Sequence, residues 1–128
     1  MNNSLKKLSI LLLSLILILC TTISLASPLY SDLKTSHWCY EKIIDFVDKK
    51  YIEGYEDGTM RPDRTITRAE YVKVVNNFFG YEDTKTSKKF SDVSEDAWYA
   101  KYVYTAVANG YIEGFEDNTF RPNNPITR

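Results

Sequence analysis

The 128-residue chain has few of the residues from which most catalytic and metal sites are built. It contains one histidine, His37, and two cysteines, Cys20 and Cys39. A single histidine leaves a zinc site short of its usual ligands. A histidine-paired thiol is also disfavoured, because Cys39 is two positions from His37 and would face elsewhere on a helix. The sequence therefore predicts no catalytic residue, metal ion or cofactor, and a protein that is not an enzyme.

An excess of positive charge is missing as well. The chain has 16 Lys and Arg residues against 17 Asp and Glu residues. A protein that binds nucleic acid needs a basic face that neutralises phosphates. The charge balance therefore predicts no nucleic-acid partner.

Only one long hydrophobic run is present, and it lies at the N-terminus. Lys6 and Lys7 precede the apolar residues 8–19, and Ser24-Leu25-Ala26 offers small residues at the −3 and −1 positions of a cleavage site. This order is typical of a secretory signal peptide, which we assign to residues 1–26. An uncleaved membrane anchor is the alternative. Cleavage would leave 14 basic and 17 acidic residues, a net charge of −3, and a single cysteine, so that no intrachain disulfide could form.

An internal repeat organises the remaining chain. Residues 31–68 align without a gap on residues 91–128, at an offset of 60. The identities include Tyr51-Ile52-Glu53-Gly54 with Tyr111-Ile112-Glu113-Gly114, and Ile66-Thr67-Arg68 with Ile126-Thr127-Arg128. Repetition at one fixed offset indicates two copies of a structural unit. We place a complete first copy at 27–83, an exposed linker at 84–89 and a truncated second copy at 90–128.

The pattern of the repeat is a helix followed by a long loop and a second helix, and the second copy stops before that second helix. Apolar residues three or four positions apart predict a first helix over about 38–50. In the loop, Gly58 and its counterpart Asn118 suit a left-handed turn. Thr67 and Glu70 form a capping-box pattern that starts a helix over 67–79, which ends near Gly80. The sequence therefore predicts an all-α fold of helix–loop–helix repeats.

The acidic loop of the first copy does not fit a calcium site. With Gly58 at position 6 of an EF-hand loop, Tyr55 falls at position 3 and Arg64 at position 12, where oxygen ligands are required. Asp57 is expected instead to cap its own turn through its side chain.

Two features of the repeat suit ligand binding, and each has a structural alternative. Arg68 lies in the first turn of the second helix, where free N–H groups and a guanidinium would form an anion site; alternatively it is solvated or pairs with Glu70. Trp38 and Trp98 begin the first helix of each copy. An indole there can stack on a sugar ring or pack in the core.

These motifs resemble the S-layer homology domain of bacterial surface proteins. In the second copy the family pattern reads Phe90-Ser91-Asp92-Val93, Trp98, Gly110-Tyr111-Ile112-Glu113-Gly114-Phe115, Asp117-Asn118-Thr119-Phe120-Arg121-Pro122 and Ile126-Thr127-Arg128. The first copy supplies Asp57-Gly58-Thr59-Met60-Arg61-Pro62 and the complete Ile66-Thr67-Arg68-Ala69-Glu70. The resemblance covers essentially the whole chain after residue 26.

The resemblance implies a non-catalytic module of a secreted protein that binds secondary cell-wall polysaccharide non-covalently. Such polymers often carry a pyruvate ketal, whose carboxylate would suit Arg68. The candidate polysaccharide-binding residues are Arg68, Thr67, Glu70, Asp32, Trp38, Gly54, Asp92, Trp98, Gly114 and Arg128. The alternatives are an S-layer-type assembly protein, and the N-terminal anchor of a secreted exoenzyme.

Family domains usually pack three repeats as a pseudo-threefold bundle around their second helices. This chain has only one such helix, 67–79, and one amphipathic helix does not close a three-helix core. The resemblance therefore implies an incomplete bundle that needs further repeats or self-association. We expect the chain to be a fragment of a longer surface protein.

Overall fold

A computed structural model describes residues 29–126 of the chain. Over this range it forms three helices, α1 (Tyr40–Asp48), α2 (Arg68–Phe79) and α3 (Ala100–Ala108), and no β-strand. The all-α prediction is confirmed. None of these three helices has the length and apolar character needed to cross a membrane. The predicted signal peptide and Arg128 lie outside the described residues.

Helix α1 is shorter than the predicted helix over 38–50. The chain before it forms turns instead, in which the His37 N–H bonds to the Lys34 carbonyl and the Tyr40 N–H bonds to the His37 carbonyl, both at 2.9 Å. Helical geometry therefore begins at Tyr40, and Cys39 is the N-cap residue. This difference changes the surroundings of Cys39, as described below.

Helix α2 begins and ends as its sequence predicts. The Thr67 side chain accepts a hydrogen bond from the Glu70 N–H, and the Glu70 side chain accepts one from the Thr67 N–H at 2.8 Å. This reciprocal pair is the capping box. At the other end Gly80 adopts a left-handed conformation with φ 68° and donates its N–H to Asn76. The capping box and the C-terminal glycine each involve residues no more than four positions apart, so both could be predicted from the sequence.

The two long loops have the same internal geometry. The Asp32 carboxylate accepts the backbone N–H groups of Met60 and Arg61, both at 2.7 Å. Asp92 accepts those of Phe120 and Arg121 at the same distances. Both arginines have positive φ, 54° and 59°, a conformation that costs energy in a residue with a Cβ. The two carboxylate clamps stabilise these unfavourable backbone positions.

The packed core belongs to the second copy, together with α2. Its buried members are Val72, Phe90, Val93, Ala100, Val103, Ala106 and Phe120. Val103 on α3 is completely buried, whereas no residue of α1 is buried, and Ile43, the counterpart of Val103, is partly exposed. The two copies differ because α2 packs along the apolar face of α3, whereas it reaches α1 at its C-terminal end, where the Phe78 ring lies 6.2 Å from that of Phe46.

Candidate functional site

The N-terminus of α2 is docked against the loop of the second copy. The Arg68 N–H bonds to the Asn124 carbonyl at 2.9 Å, and the Ala69 N–H bonds to the Pro122 carbonyl at 3.0 Å. The Glu70 N–H is taken by the Thr67 hydroxyl at 3.3 Å. The expectation of free N–H groups at this helix end is therefore wrong, because the neighbouring loop and the cap satisfy them. An anion approaching here would meet the guanidinium of Arg68 rather than the backbone.

Arg68 itself joins the two copies. Its Nε atom donates to the Phe120 carbonyl at 2.9 Å, and a terminal nitrogen donates to the Glu113 carbonyl at 3.2 Å. The guanidinium carbon lies 5.0 Å from the ring centroid of Phe115 and 4.7 Å from that of Phe120. These contacts are typical of a desolvated arginine that packs on aromatic faces.

The positive charge of Arg68 has no carboxylate partner among the described residues. Burial lowers its pKa, and the nearby positive charge of Arg121 acts in the same direction. The alternative pairing with Glu70 is wrong, since Glu70 forms its ion pair with Arg64. The Asp92 carboxylate acts on the pKa of Arg68 in the opposite direction. Arg68 thus has a charge without a direct ion-pair partner next to the loop of the second copy.

Glu70 collects hydrogen bonds from the first copy. Its carboxylate accepts from the Tyr55 hydroxyl at 2.6 Å, from Arg64, and from the N–H and hydroxyl of Thr67 at 2.8 and 2.9 Å. Burial opposes ionisation of Glu70, but the hydrogen bonds from Tyr55, Thr67 and Arg64 outweigh it and hold the pKa below its usual value. Glu70 is therefore a charged carboxylate that fixes the loop of the first copy to α2.

An open groove runs between this loop and α2, with Trp98 of the second copy at its rim. We refer to it as the α2 groove; its volume is about 930 Å³. Four of the candidate binding residues line it, namely Gly54, Thr67, Glu70 and Trp98. The polar and aromatic lining also includes Glu53, Tyr55, Arg61, Arg64 and Lys73. The structure thus brings together residues from both copies that are up to 80 positions apart in sequence, from Ile43 to Asn123.

Neither tryptophan is a core residue. The exposed fraction is 88% for Trp38 and 56% for Trp98, which excludes the core-packing alternative. Lys73 on α2 lies beside Trp98, with its Nζ atom 5.9 Å from a ring centroid of the indole and 2.9 Å from the Glu53 carboxylate. Trp38 does not line the α2 groove, and its aromatic neighbour is His37, 5.9 Å away between centroids.

The other described candidates do not line the α2 groove; they are Arg68, Asp32, Trp38, Asp92 and Gly114. Asp32 and Asp92 are the loop clamps described above. Gly54 and Gly114 lie where a Cβ atom would collide with the rings of Tyr30 and Phe90 respectively. Only glycine fits a backbone that passes so close to a neighbouring ring. Their visible role is structural.

The polysaccharide-binding candidates named from the sequence do not include several lining residues, namely Tyr55, Arg64, Lys73, Glu53 and Arg61. A signal for the first two existed, because the second copy has Phe115 and Asn124 at the same positions. Tyr55 and Arg64 therefore carry polar groups that the repeat pattern alone does not require. Lys73 had no such signal, since only the packing of α2 against the second copy places it beside Trp98.

A second polar cluster contradicts the prediction that Cys39 would face away from His37. The Cys39 Sγ atom lies 3.1 Å from His37 Nδ1, and His37 Nε2 lies 3.2 Å from an oxygen of Asp63. The prediction assumed a helix from residue 38, whereas residues 35–39 form turns that bring the two side chains together. The described residues contain no group of three His, Cys, Asp or Glu side chains arranged to hold a metal ion.

Comparison with known proteins identifies the repeats. The family model described as the S-layer homology domain matches residues 29–72 and 89–128. The chain is 39% identical over 108 residues to a cellulosome-anchoring protein of Acetivibrio thermocellus, an alignment that covers 80% of the chain and 24% of the relative. It is 34% identical over 103 residues to a surface-layer 125 kDa protein of Lysinibacillus sphaericus, covering 77% of the chain and 9% of the relative.

An enzyme is also among the relatives. The chain is 34% identical over 99 residues to an endo-1,4-beta-xylanase of Thermoanaerobacterium saccharolyticum, with 77% of the chain and 8% of the relative covered. The chain thus spans a quarter or less of each of these three proteins. The shared region in all three cases is the repeat region, which is a non-catalytic module. The chain belongs to the S-layer homology domain family of bacterial cell-surface proteins.

Proposed function

We propose that this module holds its protein on the cell wall non-covalently, by binding a secondary cell-wall polysaccharide in the α2 groove. The observation that carries the proposal is the exposed indole of Trp98 at the rim of a groove lined by charged and hydroxyl side chains. The similarity to a cellulosome-anchoring protein supports an anchoring role for the shared region.

The chemistry of the α2 groove suits a sugar chain. An indole presents a flat apolar face on which a pyranose ring stacks, and its N–H remains available as a donor. Around it, Tyr55, Glu53 and Lys73 offer hydroxyl, carboxylate and ammonium groups. A few polar groups at the edge of an aromatic platform fix the orientation of a bound molecule.

The polymer in this proposal carries a carboxylate, as a pyruvate ketal would. Arg61, Arg64 and Lys73 place three cationic groups along the α2 groove, although each also pairs with a carboxylate of the chain. Arg68 does not itself line the α2 groove, but it follows Thr67, which does. It forms no ion pair with a described carboxylate, and it remains the proposed anion contact next to the groove. A charge-assisted hydrogen bond from a guanidinium to a carboxylate is stronger than a neutral one.

The difference in burial between the first helices of the two copies supports a pseudo-threefold bundle as the complete architecture. In the second copy α2 buries Val103 and Phe120, whereas in the first copy Ile43 and the α1 face remain open. A second helix from a further repeat would cover α1 as α2 covers α3. Trp38 would then lie beside a helix as Trp98 does, which gives it a place in a second groove.

A pull-down with purified cell walls tests the binding proposal, with Trp98→Ala and Trp38→Ala as a matched pair. The two variants remove the same side chain from equivalent positions, but only Trp98 lines the α2 groove. We expect Trp98→Ala to reduce the bound fraction at least tenfold and Trp38→Ala to leave it nearly unchanged. Equal loss in both variants, or none in either, would contradict the assignment to this groove. Undiminished binding to walls stripped of pyruvylated polymer would show that this polymer is not the ligand.

An assembly role is the second candidate, and one observation favours it. The aromatic side chains at the C-terminal end of α2 are exposed, with Phe78 at 47% and Phe79 at 60%, and Tyr81 stacks on Phe79 at 5.5 Å. Exposed aromatic clusters mark protein interaction surfaces. Sedimentation analysis separates the two candidates, since a monomer with full wall affinity would exclude assembly as the primary function.

A further inference from the structure

We propose that Cys39 is a reactive thiol that His37 deprotonates and that exchanges with low-molecular-weight disulfides. The inference does not depend on polysaccharide binding. It comes from the line formed by Cys39, His37 and Asp63, in which the thiol sulfur lies 3.1 Å from one ring nitrogen and the carboxylate lies 3.2 Å from the other.

The protonation of the imidazole follows from its neighbours. The Cys39 backbone N–H points at His37 Nδ1 at 3.4 Å. Since a backbone amide can only donate, Nδ1 is the unprotonated nitrogen. The ring proton is therefore on Nε2, where it is donated to Asp63. This tautomer leaves Nδ1 as the acceptor of the thiol proton, and the carboxylate orients the ring and stabilises the imidazolium that forms.

The arrangement is a relay and not a chelate. The two ring nitrogens of one imidazole point in different directions, so that a single metal ion could not bind the sulfur and the carboxylate through the same ring. Accordingly, the described residues provide no three-ligand metal group. Proton transfer from sulfur to nitrogen is the chemistry that this geometry does permit.

The cluster is confined to the first copy. At the positions 60 residues later the chain has Ala97, Tyr99 and Asn123. All three members are therefore absent together from a copy whose turns and loop have the same geometry. The fold of the repeat does not need the cluster, which separates this cluster from the clamps of Asp32 and Asp92 that both copies share.

The thiol is accessible to a small reagent. Cys39 is partly exposed and forms no disulfide, and the carboxylate side of the cluster is open, since the exposed fraction of the Asp63 side chain is 82%. Trp38, next in sequence, is almost fully exposed. A solvent-accessible cysteine beside a base is the environment in which thiols react.

The exchange step is balanced by the disulfide itself. The thiol proton moves to His37 Nδ1, and the thiolate attacks one sulfur of the small disulfide. The S–S bond of the reagent breaks, one half remains on Cys39 as a mixed disulfide, and the other half leaves as a thiolate that takes the proton from His37. No additional oxidant is consumed, because the disulfide supplies the oxidation equivalents.

Alkylation of the full chain by iodoacetamide, followed by mass spectrometry of tryptic peptides, tests the base. Residues 35–42 form a peptide that contains Cys39 and not Cys20. An isolated thiol is only a few per cent ionised at pH 7, so we expect the native chain to react about tenfold faster than the same chain unfolded in urea. A native rate equal to or below the unfolded rate overturns the proposal without any variant.

The second copy supplies matched replacements. His37→Ala and Asp63→Asn install the residues that Ala97 and Asn123 already place in the same fold. We expect His37→Ala to lower the rate at pH 7 about tenfold and Asp63→Asn to lower it less, with both differences vanishing near pH 10, where any thiol is ionised. A difference that persists at pH 10 would reflect access to the sulfur and would overturn the role of His37 as a base.

The disulfide class is tested with 2-hydroxyethyl disulfide as the probe. The expected product is the peptide of residues 35–42 with one half of the reagent attached, formed faster in the native chain than in His37→Ala. Rapid alkylation without the mixed disulfide would overturn the exchange reaction.

Discussion

The Nε atom of Arg68 donates a hydrogen bond to the carbonyl oxygen of Phe120 at 2.9 Å, and this bond links the helix of one copy to the loop of the next. A second bond from the same guanidinium reaches Glu113 at 3.2 Å. The side chain proposed to contact an anion is therefore also a structural tie. Binding and stability must be measured separately for this residue.

Replacing Arg68 should weaken the contact between the copies. Hydrogen bonds that involve a charged group contribute about 1.5–3 kcal/mol, so Arg68→Ala is expected to lower the free energy of unfolding by about 2 kcal/mol. Arg68→Lys keeps the charge, but an ammonium group cannot bond to two carbonyls as the planar guanidinium does. Its free energy of unfolding should therefore lie between those of the parent protein and Arg68→Ala. Urea unfolding measures the stability. Equal stability of all three proteins would contradict a stabilising role for the hydrogen bonds of Arg68 between the copies.

Wall binding by the same variants separates charge from geometry. If the charge of Arg68 contacts the polymer, Arg68→Lys should retain more wall affinity than Arg68→Ala at a temperature where both are folded. Equal affinity of the alanine variant and the parent protein would leave Arg68 with its structural role alone.

Asn76 is a buried amide whose side chain joins α2 to the second copy. Its exposed fraction is 2%, its oxygen accepts from the Tyr111 hydroxyl at 2.5 Å, and its nitrogen donates to the Tyr102 carbonyl at 2.9 Å. Asn76→Ala removes both hydrogen bonds and leaves the Tyr111 hydroxyl with only its 3.3 Å contact to the Val72 carbonyl. We expect a loss of about 2–3 kcal/mol in the free energy of unfolding. The adjacent Asn77→Ala is the control.

Asn77 is less buried and makes one bond, to the Tyr51 carbonyl at 3.2 Å. Its replacement should cost at most about 1 kcal/mol. Thermal or urea unfolding of the pair measures the difference. Similar losses for Asn76→Ala and Asn77→Ala would show that the buried bridge does not hold α2 in place.

The two loop glycines should differ in their tolerance of a methyl group. A Cβ at Gly114 would collide with Phe90, which is buried in the core, and would lie 2.8 Å from the Thr119 carbonyl oxygen. At Gly54 a Cβ would lie 2.9 Å from the Thr59 carbonyl oxygen, and the obstructing ring is that of Tyr30, which is only partly buried. We expect Gly114→Ala to destabilise the protein by about 1–3 kcal/mol and Gly54→Ala to do so less. The reverse order in urea unfolding would contradict the assignment of the core to the second copy.

Asp57 should give the protein a pH-dependent contribution to stability in acid. Hydrogen bonds from the Thr59 side chain and from Arg61 lower its pKa from 3.8 to about 2. Because the folded pKa is below the unfolded one, the contribution is fully present above the unfolded value and is lost as the pH falls from about 4 toward 2. Titration of the carboxyl signal by NMR measures the folded pKa directly.

Two variants provide the controls for Asp57. Thr59→Val removes the largest cause of the shift and should move the pKa back toward its usual value. Asp57→Asn should flatten the stability profile between pH 4 and 2 relative to the parent protein. A native titration midpoint near 3.8 would be incompatible with the hydrogen-bonded geometry of this turn.

Much of the local structure could be predicted from the sequence because its causes lie within a few residues. The capping box of Thr67 and Glu70 and the left-handed Gly80 both appear as predicted. Gly58 and Asn118 have positive φ, 77° and 61°, as their turn positions require. Asp57 also caps its own turn, accepting the Thr59 N–H at 3.1 Å.

The start of α1 could not be predicted to within two residues, and that error hid a polar cluster. Apolar spacing indicates a helix but does not show which turn begins it. The hydrogen bonds that end the turn at Tyr40 bring Cys39 to His37, and Asp63 joins them from 26 positions away along the chain. The spacing of residues along the chain does not show that Asp63 and His37 lie close together in space.

By itself, the sequence determined the 60-residue repeat, the all-α class, the helix caps and the family, because these follow from residue types at fixed short spacings. Only the tertiary structure decided where Arg68 points, which copy holds the core and which residues share the α2 groove. Those outcomes depend on α2 crossing to the second copy instead of folding back on α1. Burial of Val72 against Val103 and Phe120 drives that choice, and it is a contact between residues more than 30 positions apart.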